Sequence, residues 1–91
     1  MNEYGEMIRK ARIAQGIGLL ELARKIGVSG TFISKLEKGE FKASTKTLLK
    51  IADALRMEEY KLLKKAGKMH PKIEEYVWEN YYEIVGKVVT R

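Results

Sequence analysis

Along most of this chain the apolar residues recur at spacings of three and four, and no stretch sustains the apolar–polar alternation that a half-buried strand requires. The pattern predicts an all-α fold. A first helix is expected from about Asn2, a candidate N-cap, to Gln15, with Ile8 and Ala11 facing inward and Gly16 as its stop. A second spans roughly Leu19 to Ile26, where Leu22, Ala23 and Ile26 form one apolar stripe, and Gly27-Val28-Ser29 then breaks the chain. Ser29 suits the N-cap of a third helix reaching about Lys38, whose inward residues are Ile33 and Leu36 and whose stop is Gly39. After a polar loop at residues 40–44, Ser44 or Thr45 caps a fourth helix to about Leu55, and its face of Leu48, Ile51, Ala52 and Leu55 is the clearest amphipathic signal in the chain. A fifth helix, about Glu58 to Ala66, turns Leu62 and Leu63 inward and ends at Gly67.

Pro71 favours the first turn of a sixth helix, expected to run unbroken to about Val88 with a broad apolar face that includes Ile73, Tyr76, Val77, Tyr81, Ile84, Val85 and Val88. This segment holds three of the five Tyr and the single Trp, Trp78, which is more aromatic surface than a solvated terminal helix needs. Tyr76, Trp78, Tyr81 and Tyr82 are therefore expected in core or interface contacts rather than in a ligand site. The chain divides accordingly into a compact helical domain, residues 1–68, and a C-terminal helix, residues 69–91.

Composition and charge sharpen that division. At 91 residues, 45% hydrophobic and 33% charged, the chain can bury one core but not two independent ones. The net charge is +6, and it is unevenly placed: residues 1–68 carry fifteen Lys/Arg against eight Asp/Glu, and residues 69–91 carry three against four. A basic domain is the electrostatic footprint of a polyanion binder, because each cation at a phosphate releases condensed counterions. There is no cysteine, which removes disulfides, thiolate metal sites and thiol nucleophiles and suits a reducing compartment. The charged amphipathic start of the chain and the lack of a long apolar run lead to the expectation of a cytoplasmic protein with no membrane association. His70 is the only histidine and is expected in a turn before Pro71. With no carboxylate pair and no Gly-rich phosphate loop, the expectation is a non-enzyme with no catalytic residues, no metal and no cofactor.

The informative stretch lies between Leu22 and Gly39. Two helices crossing steeply through a three-residue turn need a small residue where they touch, supplied by Ala23. They also need a residue that tolerates positive φ in the turn, Gly27, and an apolar plug beneath it, Val28. Ile33 and Leu36 anchor the third helix and leave its opposite face free. With Ile8-Arg9-x-x-Arg12, Gly16-Ile17, Glu21-Leu22-Ala23, Gly27-Val28-Ser29, Ile33-Ser34-x-x-Glu37-x-Gly39 and Thr47-Leu48-Leu49-Lys50-Ile51-Ala52-x-Ala54-Leu55, the chain strongly resembles the lambda-repressor-like (Cro/CI-type, XRE family) helix-turn-helix domain from Ile8 to about Leu63. The resemblance implies five helices in the family's order, a helix-turn-helix over about residues 19–39, and a third helix that lies in the major groove of double-stranded DNA.

Carried over by position, the base-facing residues are Gly30, Thr31 and Lys35, with Ser34 and Lys38 near the DNA backbone. Lys35 can donate to guanine O6 and N7 and Thr31 can offer its hydroxyl or methyl, whereas Gly30 has no side chain with which to specify a base. Phe32 can lie on thymine methyls or pack against the protein, and packing is preferred. Lys42 and Lys46, bracketing the start of the fourth helix, are the first choices for phosphate contacts, since helix N-termini suit anions. Arg24, Lys25 and Lys50 are read as solvated. Arg12 and Glu37 resemble the family's buried ion pair and are given a structural role. Two positions depart from the pattern: Gly18-Leu19 stand where a Ser/Thr cap and a phosphate-touching Gln are usual, and Arg56 stands where a Gly often ends the fourth helix.

The function implied is a transcriptional regulator, foremost a repressor that binds an inverted-repeat operator as a homodimer. Leu63, Tyr76, Val77, Tyr81 and Ile84 are the candidate dimer interface, with folding of the last helix onto its own domain as the alternative. Two other readings use the same fold: an antitoxin or adaptor that grips a protein partner through the C-terminal helix, and a controller protein of a restriction-modification system.

Overall fold

The computed structural model describes residues 3–89, the side chains of Val88 and Val89 excepted, and among these every regular element is an α-helix. The helices are α1 (Glu3–Ala14), α2 (Leu19–Ile26), α3 (Gly30–Glu37), α4 (Thr45–Ala54), α5 (Glu59–Lys65), α6 (Pro71–Glu79) and α7 (Tyr81–Val89). The proposed cap at Asn2 lies outside the described residues, as does the side chain of Val88. Side-chain caps fix the starts of α3, α4 and α5. Ser29 Oγ accepts from Phe32 N at 3.0 Å, Ser44 Oγ accepts from Thr47 N at 3.1 Å, and the Glu58 carboxylate accepts from the amides of Tyr60 and Lys61 at 3.0 and 2.8 Å.

The core is drawn from the inward face of α1–α5. Ile8, Leu22, Ile33, Leu36, Leu48, Ile51, Leu55, Leu62 and Leu63 are its largest fully buried side chains. Against that core α2 packs on both α3 and α4, α4 packs on α5, and α1 closes the bundle against α3 and α5. Leu63, offered above as a dimer contact, is 1% exposed inside this core and is withdrawn from the interface. The fifth helix is so short that burying two adjacent leucines, Leu62 and Leu63, uses most of one face.

Gly5 sets how closely α1 approaches the end of α3. A β-carbon there would stand 2.6 Å from the Leu36 carbonyl oxygen and 2.7 Å from that of Glu37, and neither backbone atom can swing aside. Gly5→Ala should therefore cost about 1–3 kcal/mol of stability in a urea melt, although alanine is the better helix former by nearly 1 kcal/mol. A stabilising Gly5→Ala would show that α1 can slide away from α3 at little cost.

Arg56 ends α4 at φ 52°, the left-handed region that favours glycine. The backbone turns there so that Met57 N can return to Ala52 O at 2.8 Å. Arg56→Gly should raise stability by about 0.5–1 kcal/mol, since relief of the left-handed strain outweighs the added chain entropy of glycine. A melt with an unchanged or lowered midpoint would contradict this.

Beyond Gly67 the expected single helix is two. α6 ends at Asn80, whose backbone N and Nδ2 both donate to the Tyr76 carbonyl, at 3.0 and 2.8 Å, so the asparagine side chain closes the last turn. α6 buries no residue, and it packs on α7 rather than folding back as a layer over α1–α5. The described chain consequently measures 50 × 24 × 20 Å. Trp78 is 66% exposed and Tyr82 88%, so the aromatics of this arm are not core residues. The arm is rooted at His70, which is no simple turn residue: it is buried, its Nδ1 accepts from Lys72 N at 3.1 Å as the N-cap of α6, its Nε2 lies 2.8 Å from Glu59 Oε1, and its ring stacks on Tyr60 at 4.2 Å.

Candidate nucleic-acid interface

The turn between α2 and α3 carries out what its residues require. Gly27 adopts φ 74° and ψ 37°, and the amides of Gly27 and Val28 both turn back to the carbonyl of Ala23, the latter at 2.9 Å. Ala23 is 2% exposed beneath the crossing of the two helices. Ile33, Leu36 and Glu37 take the buried side of α3. Thr31, Ser34, Lys35 and Lys38, at i, i+3, i+4 and i+7, lie on the opposite side, with Thr31 and Lys38 exposed and Ser34 and Lys35 half-buried. The four share one convex ridge about two turns long.

Gly30, half-buried and four residues before Ser34, opens α3 at the start of that ridge. A β-carbon there would stand 2.7 Å from Leu20 Cδ2, the tip of a flexible side chain that can swing aside. Leu20 remains 62% exposed at the edge of the ridge, and Leu19 packs half-buried against the core. Gly18 caps α2 without a side-chain hydrogen bond, so no side chain competes for the first-turn amides at that positive helix end.

Lys35 is not freely solvated. Its Nζ lies 5.1 Å from the centroid of Phe41, a cation–π distance, and Phe41 leans on Phe32 at 5.8 Å between centroids. Phe32 packs on the core, as preferred above. Phe41 sits in the polar loop after α3, where no periodicity singles it out, and its carbonyl accepts from the Tyr4 hydroxyl at 3.4 Å. Lys42 and Lys46 are both exposed on either side of Ser44, the cap of α4.

Beneath the ridge, Arg12 and Glu37 form a bidentate pair: Nε to Oε2 at 2.7 Å and Nη2 to Oε1 at 3.0 Å, with the side chains 11% and 5% exposed. Nη1 also donates to the Ile17 carbonyl at 3.0 Å, so one guanidinium ties α1, the α1–α2 loop and the end of α3 together. The hydrogen bond to Glu37 holds Arg12 above its ordinary pKa against the opposing effect of burial. Gln15 adds a second tie, donating from its side-chain amide to the Leu55 carbonyl at the end of α4. Among the described residues no group of three or more His, Cys, Asp or Glu is placed to hold a metal ion, and no helix is long and apolar enough to cross a membrane.

Comparison with known proteins bears on this arrangement. Residues 8–62 match the family model described as helix-turn-helix. An uncharacterized HTH-type transcriptional regulator of Mycobacterium tuberculosis is 36% identical over 67 residues, which are 74% of this chain and 48% of that protein. The chain thus spans about half the length of that curated relative. The ImmF control region 10 kDa protein of Bacillus phage phi105 is 31% identical over 72 residues, covering 71% of this chain and 80% of the phage protein. Among solved structures, the restriction-modification controller protein C.AhdI from Aeromonas hydrophila superposes with a TM-score of 0.63 at 30% identity, over 67% of this chain and 88% of that one. The clp gene regulator ClgR from Corynebacterium glutamicum does so with a TM-score of 0.66 at 25% identity, over 97% of this chain and 87% of that one.

Proposed function

The chain belongs to the helix-turn-helix family, and from that premise we propose that it is a DNA-binding transcriptional regulator, a repressor acting in the cytoplasm as a homodimer on an inverted-repeat operator in double-stranded DNA. The observation that carries the reading is the ridge of Thr31, Ser34, Lys35 and Lys38, held clear of the core on a helix whose other face is locked by Ile33, Leu36 and the Arg12–Glu37 pair. In the major groove, Thr31 and Lys35 meet base edges, while Ser34 and Lys38 run beside the phosphates. Lys42 and Lys46, flanking the capped start of α4, take phosphates on the same strand path. Gly30 joins this surface as bare backbone, letting the start of α3 approach the base edges closely.

One such ridge spans few base pairs, which is why a dimer on half-sites about 10 base pairs apart is part of the proposal. The exposed arm formed by α6 and α7 is the element that remains for pairing, with Tyr76, Val77, Tyr81 and Ile84 as its candidate contacts. The similarity to C.AhdI supports a second reading, a controller protein of a restriction-modification system, which uses the same ridge and the same dimer. Selection of bound duplexes from a random pool at near-physiological salt tests the proposal. An enriched inverted repeat with half-sites about one helical turn apart is expected. Folded protein that enriches no motif would overturn it, leaving the arm as a handle for a protein partner, as in an antitoxin or adaptor.

A further inference from the structure

At the root of the arm, between α5 and the start of α6, lies a surface groove of about 470 Å³ lined by Tyr60, Lys64, Lys68, Met69, His70 and Ile73. Its floor is the stacked Tyr60–His70 pair, and its apolar wall does not stop at the groove. Tyr60, Met69, Ile73 and Tyr76, exposed by 40, 47, 43 and 62%, continue it along α6 as one strip. Ile73, Tyr76 and Glu79 are each three residues apart and so follow one another along the helix surface.

The ends of the strip carry opposite charge. Lys64 and Lys68 stand at the groove, while Glu79 and, past the break at Asn80, Glu83 stand at the far end. Glu83 pairs with the exposed Lys87 of its own helix, at 3.5 Å, and such a pair is easily exchanged. Of the other charged groups nearby, Glu59 is held by His70 and Lys65 reaches Glu3 on α1, Lys61 and Lys72 are exposed and add to the positive end, and Glu74 and Glu75 are exposed beside the middle of α6.

A strip that is positive at one end, apolar in the middle and negative at the other is complementary to itself when turned end for end. A two-fold axis perpendicular to it superimposes apolar centre on apolar centre and sets each positive end against a negative one. We propose that this strip is covered by the same strip of a second copy, antiparallel, with Ile73 and Tyr76 next to the axis and Lys64 and Lys68 facing Glu79 and Glu83 of the other chain. The inference rests on the homodimer named above and gives it a register. The helical rise of about 1.5 Å per residue puts Glu79 some 12 Å from Pro71, a span that one strip crosses without distortion.

The chain has no cysteine, so single replacements report proximity cleanly. Tyr76→Cys, beside the axis, is expected to give a disulfide-linked dimer under mild oxidation, and Tyr82→Cys, off the strip, is not. In sedimentation without DNA, Lys64→Glu with Lys68→Glu should raise the dimer dissociation constant about tenfold or more at low salt, and so should Glu79→Lys with Glu83→Lys. The chain carrying all four changes should return to within about threefold of the original, because every reversed charge again faces its opposite. These side chains lie on the surface, so unchanged circular dichroism and melting are the control. A dimer indifferent to all four reversals, with no Tyr76→Cys cross-link, would overturn this register and leave the homodimer standing. A chain that sediments as a monomer at micromolar concentration would overturn both.

Discussion

Arg12→Met should destabilise the folded domain by about 3–5 kcal/mol, as much as emptying a buried leucine site in the core. The figure does not come from the attraction within the ion pair. It comes from what is left behind: Glu37, its side chain 5% exposed, keeps a carboxylate enclosed by α1 and α3 with neither of its guanidinium donors. The Ile17 carbonyl is deprived of its partner as well, which loosens the α1–α2 loop. Since a domain of this size is stable by only about 5–15 kcal/mol, urea denaturation should show a much earlier midpoint with an unchanged slope. The double replacement Arg12→Met with Glu37→Leu is expected to recover most of the loss, because no charge is then stranded. If Arg12→Met alone costs under about 1 kcal/mol, Glu37 is reached by water and the pair is not a buried strut. DNA binding by the fraction that remains folded should survive, since neither group reaches the ridge of α3.

The fold was legible in the sequence wherever a local signal and a tertiary need coincide. α2 carries its boundaries in its own pattern, with Leu22, Ala23 and Ile26 inward and Gly27 in the left-handed turn. Ser29 and Ser44 announce the starts of α3 and α4 because a cap is made within three residues. What the pattern could not show are contacts between residues far apart in sequence. Gly5 reads as a poor helix residue until α3 is brought against it. Phe41 lies in a polar loop with no period to mark it, yet it holds Lys35 by its ring. The break at Asn80 is hidden by an apolar periodicity that runs through it, and its one local mark is an asparagine whose side chain bonds back to Tyr76. His70 was unreadable for a related reason: its three contacts come from α5 and from the backbone it caps.

The second large effect is electrostatic. If the dimer neutralises roughly 6 to 10 phosphates, its affinity for operator DNA should fall by about three to five decades between roughly 50 and 200 mM salt. The exposed cations around the ridge, Lys38, Lys42 and Lys46 on each chain, are sufficient in number for the lower end of that range, and the open N-terminus of α2 adds amide contacts. Single replacements then separate position from specificity. Lys46→Ala should weaken all duplexes alike and lower the salt slope by about one for each phosphate that is no longer neutralised. Lys35→Ala should cost about 1–3 kcal/mol on the selected operator and relax preference at one position in each half-site. Lys35 must leave Phe41 to reach a base, giving up a cation–π interaction worth about 0.5–1 kcal/mol, so Phe41→Leu should tighten operator binding slightly while Lys35 is present and not at all once it is alanine. A salt response that is flat over this range would mean that α3 does not lie between phosphate backbones, and the ridge would then have to be read as a surface for something other than DNA.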